Sequence, residues 1–167
     1  VCNGTLQANG TEEEHVLFTS KQPTPLPGDW DNIELYGENN VISYVDYEFA
    51  TDGFSGDGAS GSTFDHLMLV GSLSLTANGL YLPNSPNSSF TNNTITVAGS
   101  FGIYANYSNN SEFIENNIYT PSSAIYADYA IESTFLNNII RCESGDGLRA
   151  ENCEDCTVED NDINNQD

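Results

Sequence analysis

The chain has 167 residues and carries 25 acidic side chains against three basic ones, a formal net charge of −22. This charge disfavours partners such as nucleic acid and anionic membranes, and it favours cations and surfaces that carry them. Calcium or other divalent cations at the acidic surface are therefore the cofactors to consider; no other cofactor or metal site is predicted. No run of 18 apolar residues occurs, so the sequence predicts no membrane span.

The N-terminal part of the chain shows no regular repeat. Residues 1–32 include prolines at 23, 25 and 27, which favour an irregular, extended backbone. We predict an irregular N-terminal segment over 1–32, available for contacts between subunits, followed by one folded domain over 33–167. Within that domain residues 41–49 alternate as in a strand, with the odd-numbered residues from Val41 to Phe49 on one face.

Short strands are also expected at 33–35 and 67–70, and no helix is expected anywhere. Residues 52–63 are rich in glycine and predict a loop. Asp52 and Asp57 in this loop faintly resemble a calcium-binding loop, but they lack the EF-hand spacing, so a turn is the preferred interpretation.

The strongest signal is a repeated template, clearest over residues 65–165. It consists of an apolar residue, two variable residues, Asn, one variable residue and Ile, and its four copies begin 23, 22 and 23 residues apart. The apolar positions are expected to form the core: Phe90, Phe113, Phe135, Val158, Ile95, Ile118, Ile140 and Ile163.

A second apolar–polar segment keeps the same period and places Tyr81, Tyr104, Tyr126 and Arg149 at one equivalent, polar-side position. Each segment is too short for a helix, and turn-forming Asn, Ser, Gly and Pro lie between them. One coil cannot bury its own apolar residues, whereas coils stacked about 4.8 Å apart bury Phe on Phe and Ile on Ile.

The repeat resembles the parallel β-helix repeats of carbohydrate-active and cell-surface proteins, and residues 102–118 carry the likeness best. The resemblance implies an all-β fold, a right-handed parallel β-helix (solenoid) with coils of about 23 residues and a less regular N-terminal portion. The acidic, Asn-, Ser- and Thr-rich composition is also similar to archaeal cell-surface sheath and adhesin-like proteins.

The asparagines of the template, Asn93, Asn116, Asn138 and Asn161, are predicted to form a structural ladder. We expect them at corners of the coils, because Asn tolerates left-handed backbone angles. Their amides would bond to the Asn of the next coil. A role as ligands for a sugar or a metal is the less favoured alternative.

The four cysteines are Cys2, Cys142, Cys153 and Cys156, and disulfides are expected in an extracellular chain. Cys153 and Cys156 have the spacing of a redox or half-zinc motif, but two carboxylates lie between them and no helix follows. One bond within the C-terminal trio is easy. We predict that Cys2, at the far end of the solenoid, bonds to a cysteine of a neighbouring subunit.

Six sequons for N-glycosylation weakly support an extracellular location at the cell surface: Asn3, Asn9, Asn87, Asn92, Asn106 and Asn109. The chain begins at Val1 without a signal peptide, so we expect a processed mature protein or an excised domain.

A catalytic site is not evident in the sequence. His15 and His66 stand alone, and Arg149 is expected to pair with Asp128 or Glu151. Among the enzymes that the repeat resembles, pectate lyases use an Arg base beside calcium-binding acids and related hydrolases use clustered Asp. Four acids of this chain could bind calcium or do acid–base work: Asp146, Glu151, Asp160 and Asp162.

We therefore expect a structural extracellular protein of a cell envelope or sheath, not an enzyme, which assembles with copies of itself by strand stacking and disulfide links. The alternative is a β-helix that binds or degrades polysaccharide, for which the tyrosine stack would offer a binding surface. An adhesin-like or phage-tail-like module of a longer chain is a third possibility.

Overall fold

The computed structural model describes residues 1–72 and 77–165. These residues form strands, turns and no helix, and every strand pairing is parallel. The strands belong to two sheets, which lie on different sides of a solenoid whose interior is mostly apolar.

The larger sheet has twelve strands. They are β1 (Gln7–Asn9), β2 (Val16–Phe18), β4 (Val41–Glu48), β6 (Thr63–Ser72), β8 (Ser89–Thr91), β9 (Thr94–Val97), β11 (Glu112–Ile114), β12 (Asn117–Thr120), β14 (Thr134–Leu136), β15 (Ile139–Cys142), β17 (Thr157–Glu159) and β18 (Asp162–Asn165).

The smaller sheet has six strands, one from each successive coil. They are β3 (Ile33–Glu34), β5 (Phe54–Ser55), β7 (Asn78–Tyr81), β10 (Phe101–Tyr104), β13 (Ser123–Tyr126) and β16 (Leu148–Arg149).

The register of the larger sheet is the one that the repeat predicts. Phe113 pairs with Phe90 on one side and with Phe135 on the other, and Ile118 pairs with Ile95 and Ile140. All six side chains are fully buried. Neighbouring Phe rings are stacked nearly parallel, with centroids 4.9 and 4.7 Å apart.

Val158 and Ile163 follow the same register but were wrongly expected in the core. Val158 pairs with Phe135 and Ile163 with Ile140, yet they are 52% and 45% exposed. Among the described residues, strands β17 and β18 each have a partner strand on one side only. An inward side chain in a solenoid is buried only when coils cover it from both sides, and no described coil covers the second side here.

The ladder asparagines are inside the solenoid, as expected, but the expectation of left-handed angles for them is wrong. The residue before each Asn is left-handed instead, with φ of 55° at Asn92, 56° at Glu115, 56° at Asn137 and 53° at Asp160. This residue directly follows the first short strand of each coil and turns the chain into the second strand. It also explains why the template is not strictly alternating.

A left-handed residue also interrupts the predicted alternation over residues 41–49, so that prediction is wrong in part. Tyr44 is left-handed, with φ of 49°, so the inward face changes parity at this point. Ile42 is buried before it, and Val45 and Tyr47 are buried after it.

The N-terminal segment 1–32 contributes to the solenoid. Strands β1 and β2 both pair with β4, and isolated bridges join Cys2 to Leu35 and Trp30 to Ala50. The first coil is therefore built in part from residues that precede Ile33.

In the described part of the chain, no helix is long and apolar enough to cross a membrane.

Candidate functional site: the tyrosine ladder and Arg149

The polar side of the smaller sheet carries a ladder of three tyrosines. Tyr81, Tyr104 and Tyr126 pair in register on β7, β10 and β13. Their rings stack nearly parallel, with centroid distances of 4.7 and 5.3 Å. Phe101 packs its ring edge-on against Tyr104 and Tyr126. The ladder is the predicted one, and it forms because coils of nearly equal length place the same position in every coil at the same point.

Arg149 occupies the next position of the ladder, opposite Tyr126. Its guanidinium lies 4.8 Å from the centre of the Tyr126 ring, a cation–π contact. Arg149 also contacts Asp128 at 3.2 Å, Glu151 at 3.1 Å and Asp146 at 3.7 Å. The expected pairing with Asp128 or Glu151 is thus present with both residues. The arginine is held by three carboxylates.

Burial is the main cause that raises the pKa of Tyr104, and the hydroxyls of its two ladder neighbours, Tyr81 and Tyr126, act in the same direction. The raised pKa keeps the Tyr104 phenol protonated at neutral pH, so its hydroxyl can donate one hydrogen bond and accept others. Tyr104 Oη accepts a hydrogen bond from Asn106 Nδ2 at 2.9 Å.

The ladder is open at Tyr81, which is 39% exposed. Its register partner on the preceding coil is Ser55, whose side chain is too small to continue the ring stack. A cavity of about 130 Å³ lies here, lined by Asn32, Asp52, Phe54, Ser55, Asn78 and Tyr81.

The polar atoms of this cavity are partly engaged. Asp52 Oδ1 accepts a hydrogen bond from the Asn78 backbone N–H at 2.8 Å, and Asn32 Nδ2 donates to Ser55 Oγ at 2.7 Å. Asn78 Oδ1 is buried and takes no hydrogen bond from the described residues. An aromatic ring beside amide and carboxylate groups is suited to hydroxyl-rich ligands.

The two histidines each pair with an aspartate. His15 Nδ1 lies 2.9 Å from Asp46, and His66 Nδ1 lies 2.9 Å from Asp65. The Tyr44 ring contacts both imidazoles and stacks on His66 at 4.5 Å. Sequence reasoning missed this cluster because His15 belongs to the first coil, where the repeat is not visible.

The carboxyl of Asp65 has a lowered pKa. Burial alone would raise the pKa, but hydrogen bonds from Asn92, His66 and Thr91 together outweigh that effect. Asp65 is thus an ionised acceptor that joins two coils.

The acids that the sequence offered for calcium or acid–base chemistry do not form one site. Asp146 and Glu151 contact Arg149, and Asp162 contacts Arg141 at 2.7 Å. Asp160 is exposed at the left-handed corner of the last coil. Within residues 1–72 and 77–165 no group of three His, Cys, Asp or Glu is arranged to hold a metal ion.

The C-terminal cysteines replace small buried residues of earlier coils. Cys156 lies 23 residues after the buried Ser133 and contacts Ala130 O at 3.0 Å. Cys153 lies 23 residues after the buried Ala130 and contacts Ala127 O at 3.4 Å. Burial raises the pKa of the Cys153 thiol to about 11, and the neighbouring Cys156 thiol adds to this effect.

The other two cysteines lie apart from this pair along the chain. Cys142 is buried on β15, in register with Thr120 and beside Asn165. Cys2 lies in the first coil, where its thiol contacts Gly4 O at 2.9 Å. The structure forms no disulfide at Cys2, Cys153 or Cys156. The disulfide link between subunits stays a prediction.

The sequons fall into two groups. Asn3, Asn9 and Asn87 are exposed, whereas Asn92, Asn106 and Asn109 are partly buried. Asn92 Nδ2 donates to Asp65 and Asn106 Nδ2 to Tyr104, so a glycan there would replace an existing hydrogen bond. The exposed group is the one that glycosylation would reach.

The structural asparagines are engaged from coil to coil. Each of Asn93, Asn116 and Asn138 donates its backbone N–H and its Nδ2 to the Oδ1 of the next ladder Asn, at 2.8–3.1 Å. Nδ2 also donates to the carbonyl of Phe64, Phe90 or Phe113 of an earlier coil. These bonds satisfy the amides and confirm the structural ladder.

Comparison with known proteins supports the architecture. The family model described as "Right handed beta helix region" matches residues 52–167. Searches of curated proteins and of solved structures found no match. The matched region holds the regular coils, whose described residues form parallel strands and no helix. The chain therefore belongs to the right-handed β-helix family.

Proposed function

We propose that the protein is a structural component of the outside of a cell, in an envelope or sheath, and that it assembles by stacking coils of neighbouring copies. The observation that carries this proposal is the last described coil, with β16, β17 and β18, which no described strand covers on its second side. This coil continues the register of the preceding coils. Its inward-facing side chains Val158 and Ile163, however, are about half exposed. Open strand edges and uncovered apolar columns recruit further strands.

The first coil offers a matching surface. In the register of the larger sheet, Ala8, Val16 and Phe18 occupy the positions equivalent to Val158, Asn161 and Ile163. Among the described strands, β1 and β2 pair with β4 alone. A second copy stacked head to tail would place Ala8 on Val158 and Phe18 on Ile163 and would continue the parallel pairing. Such a heterologous contact generates rings or filaments.

Charge opposes this association. Each copy carries −22, so we expect assembly only where salt or divalent cations such as calcium screen the repulsion. The exposed sequons Asn3, Asn9 and Asn87 support the extracellular location, since their side chains are open to solvent.

Electron microscopy and light scattering of the purified protein, with and without salt and calcium, test the assembly. Ile163→Lys should abolish it because a charge would enter the contact. Ile139→Lys is the matched control, since Ile139 has the same 45% exposure on the outer side of β15. A protein that stays monomeric at high concentration in every condition would contradict the proposal.

The cysteines add a second readout. If Cys2 bonds to the C-terminal cysteines of the next copy, a non-reducing gel of the assembly shows a series of multimers that collapses with reductant. Cys2→Ser should remove the series without removing the assembly itself. A monomer band under both conditions would exclude the disulfide link.

A second candidate function is binding or degradation of polysaccharide, favoured by the tyrosine ladder and the cavity beside Tyr81. Co-sedimentation with insoluble polysaccharides tests binding, and an assay on acidic polysaccharides with calcium tests degradation. Tyr81→Ala should weaken the binding. Tyr119→Ala is the control, since Tyr119 is similarly exposed but lies on β12, outside the ladder.

A further inference from the structure

A larger cavity lies at the other end of the chain, in the segment that precedes β3. Its volume is about 350 Å³ and it is lined by Phe18, Thr19, Ser20, Lys21, Gln22, Asp29 and Trp30. This is within the range of small-molecule sites, which run from about 300 to 1,000 Å³. The aromatic residues belong to the first coil and the polar ones to the loop that follows β2.

The aromatic wall is fixed in place by the solenoid. Trp30 is half-buried, its Nε1 donates to Glu48 O at 2.8 Å, and its ring packs against Tyr47 with centroids 4.7 Å apart. Trp30 also forms a parallel bridge with Ala50. An indole held in this way offers a rigid apolar surface at little cost in conformational entropy.

The polar wall is a closed loop centred on Asp29. Oδ2 of Asp29 accepts hydrogen bonds from Ser20 Oγ at 2.5 Å and from the Leu26 backbone N–H at 3.1 Å. The backbone N–H groups of Gly28 and Asp29 both donate to Phe49 O, which ties the loop to the solenoid. Gly28 has φ of 89°, a conformation that glycine adopts most easily.

Asp29 is ionised at neutral pH, since the hydrogen bonds from Ser20 and Leu26 lower the pKa of its carboxyl. Its second oxygen, Oδ1, takes no hydrogen bond from the described residues. Lys21 and Gln22 supply donors, and Lys21 makes no ion pair with any described residue.

We propose that this pocket binds a neutral sugar ring, with the apolar C–H face of the ring against Trp30 and Phe18 and its hydroxyls on Asp29, Lys21 and Gln22. A carboxylate accepts hydrogen bonds from hydroxyls at greater strength than a neutral acceptor does. An acidic sugar fits less well, because Asp29 lines the pocket and the Glu48 carboxylate bonds to Thr19 in its wall.

Sugar binding in this pocket requires neither assembly nor the tyrosine ladder, and Trp30 reports on it. Trp30 is the only tryptophan in the chain, so tryptophan fluorescence reports on this pocket alone. We expect cellotriose, maltotriose, chitotriose or mannotriose to change the emission saturably, at concentrations up to about 20 mM, well above a millimolar Kd.

Two variants distinguish the loss of the Asp29 carboxylate from a general loss of negative charge. Asp29→Asn should weaken the binding about tenfold or more, because charge-assisted hydrogen bonds are lost. Asp31→Asn removes the same charge two residues away, outside the pocket lining, and should bind as the original chain does. Tyr81→Ala should also leave this signal unchanged.

Asp29 also orders its loop, so a measurement without mutation completes the test. Saturation-transfer NMR with irradiation of the aromatic protons should mark the C–H protons of the bound trisaccharide. Failure of all four trisaccharides in both fluorescence and NMR would overturn the proposal. Tighter binding of trigalacturonate than of any neutral trisaccharide would overturn the choice of a neutral ring.

Discussion

Two coils of the same template differ sharply in this molecule. The coil with β14 and β15 buries Phe135 and Ile140 completely, whereas the next coil, with β17 and β18, leaves Val158 and Ile163 about half exposed. Both coils have the same register and both hold a ladder asparagine. The difference shows that an inward position becomes core only through the coil above it.

The two coils also differ in their number of acidic residues. Residues 151–162 contain six acids: Glu151, Glu154, Asp155, Glu159, Asp160 and Asp162. The equivalent stretch of the preceding coil, residues 128–139, contains two, Asp128 and Glu132. The last described coil is therefore both less buried and more strongly self-repelling than the coil below it.

The largest difference in stability between the coils is expected for the stacked, inward-facing apolar side chains. Phe113→Ala should lower the free energy of unfolding by about 3–5 kcal/mol, because it opens a cavity between two stacked rings. Val158→Ala should cost less than about 1 kcal/mol, since the side chain is already half in water. Urea unfolding of both variants measures the two values. Equal costs would mean that Val158 is covered in solution, as the assembly proposal requires at high concentration.

The asparagine ladder should show a smaller difference of the same kind. Asn116→Ala removes the acceptor of two buried donors on Asn93 and should cost about 2–4 kcal/mol. Asn161→Ala removes the two equivalent hydrogen bonds from Asn138. These bonds lie closer to solvent, so the free energy of unfolding should fall by only about 1 kcal/mol. The measurement is again urea unfolding. A neutral Asn116→Ala would show that the ladder follows from the fold and does not stabilise it.

Salt should act unevenly on the two coils. Screening of the six acids in residues 151–162 should slow amide hydrogen exchange in β17 and β18 more than in β14 and β15, by roughly severalfold between low and molar salt. The melting temperature of the whole chain should rise as well. Uniform protection at all salt concentrations would mean that charge repulsion is not concentrated in the last coil.

The smallest effect concerns the cysteine that replaces Ala130. With its pKa raised to about 11, the Cys153 thiol should react slowly with iodoacetamide at neutral pH, and faster as the pH approaches 11. A raised folded-state pKa also means that stability is retained below pH 9 and declines as the pH rises towards 11. Mass spectrometry of alkylated peptides gives the rate. Fast alkylation at neutral pH would show that burial does not control this thiol.

Much of the fold could be predicted from spacing alone. Recurrence of Phe and Asn at 22 or 23 residues predicts parallel stacking in register, and Tyr81, Tyr104 and Tyr126 lie where that spacing places them. The cavity around Trp30 could not be predicted, since Phe18 and Asp29 meet there without any repeat in the sequence. The pairing of His66 with Asp65 was likewise missed, although the two residues are adjacent.

Sequence by itself determined which residues can be equivalent in this protein, because a solenoid of nearly constant coil length repeats each position at the same point. Tertiary structure decided which of these equivalent residues are buried. It also decided where the backbone is left-handed, since the ladder asparagines must turn inward to bond to one another and the residue before each of them must make the corner. Burial and corner geometry depend on the neighbouring coils, and a single coil's sequence does not contain them.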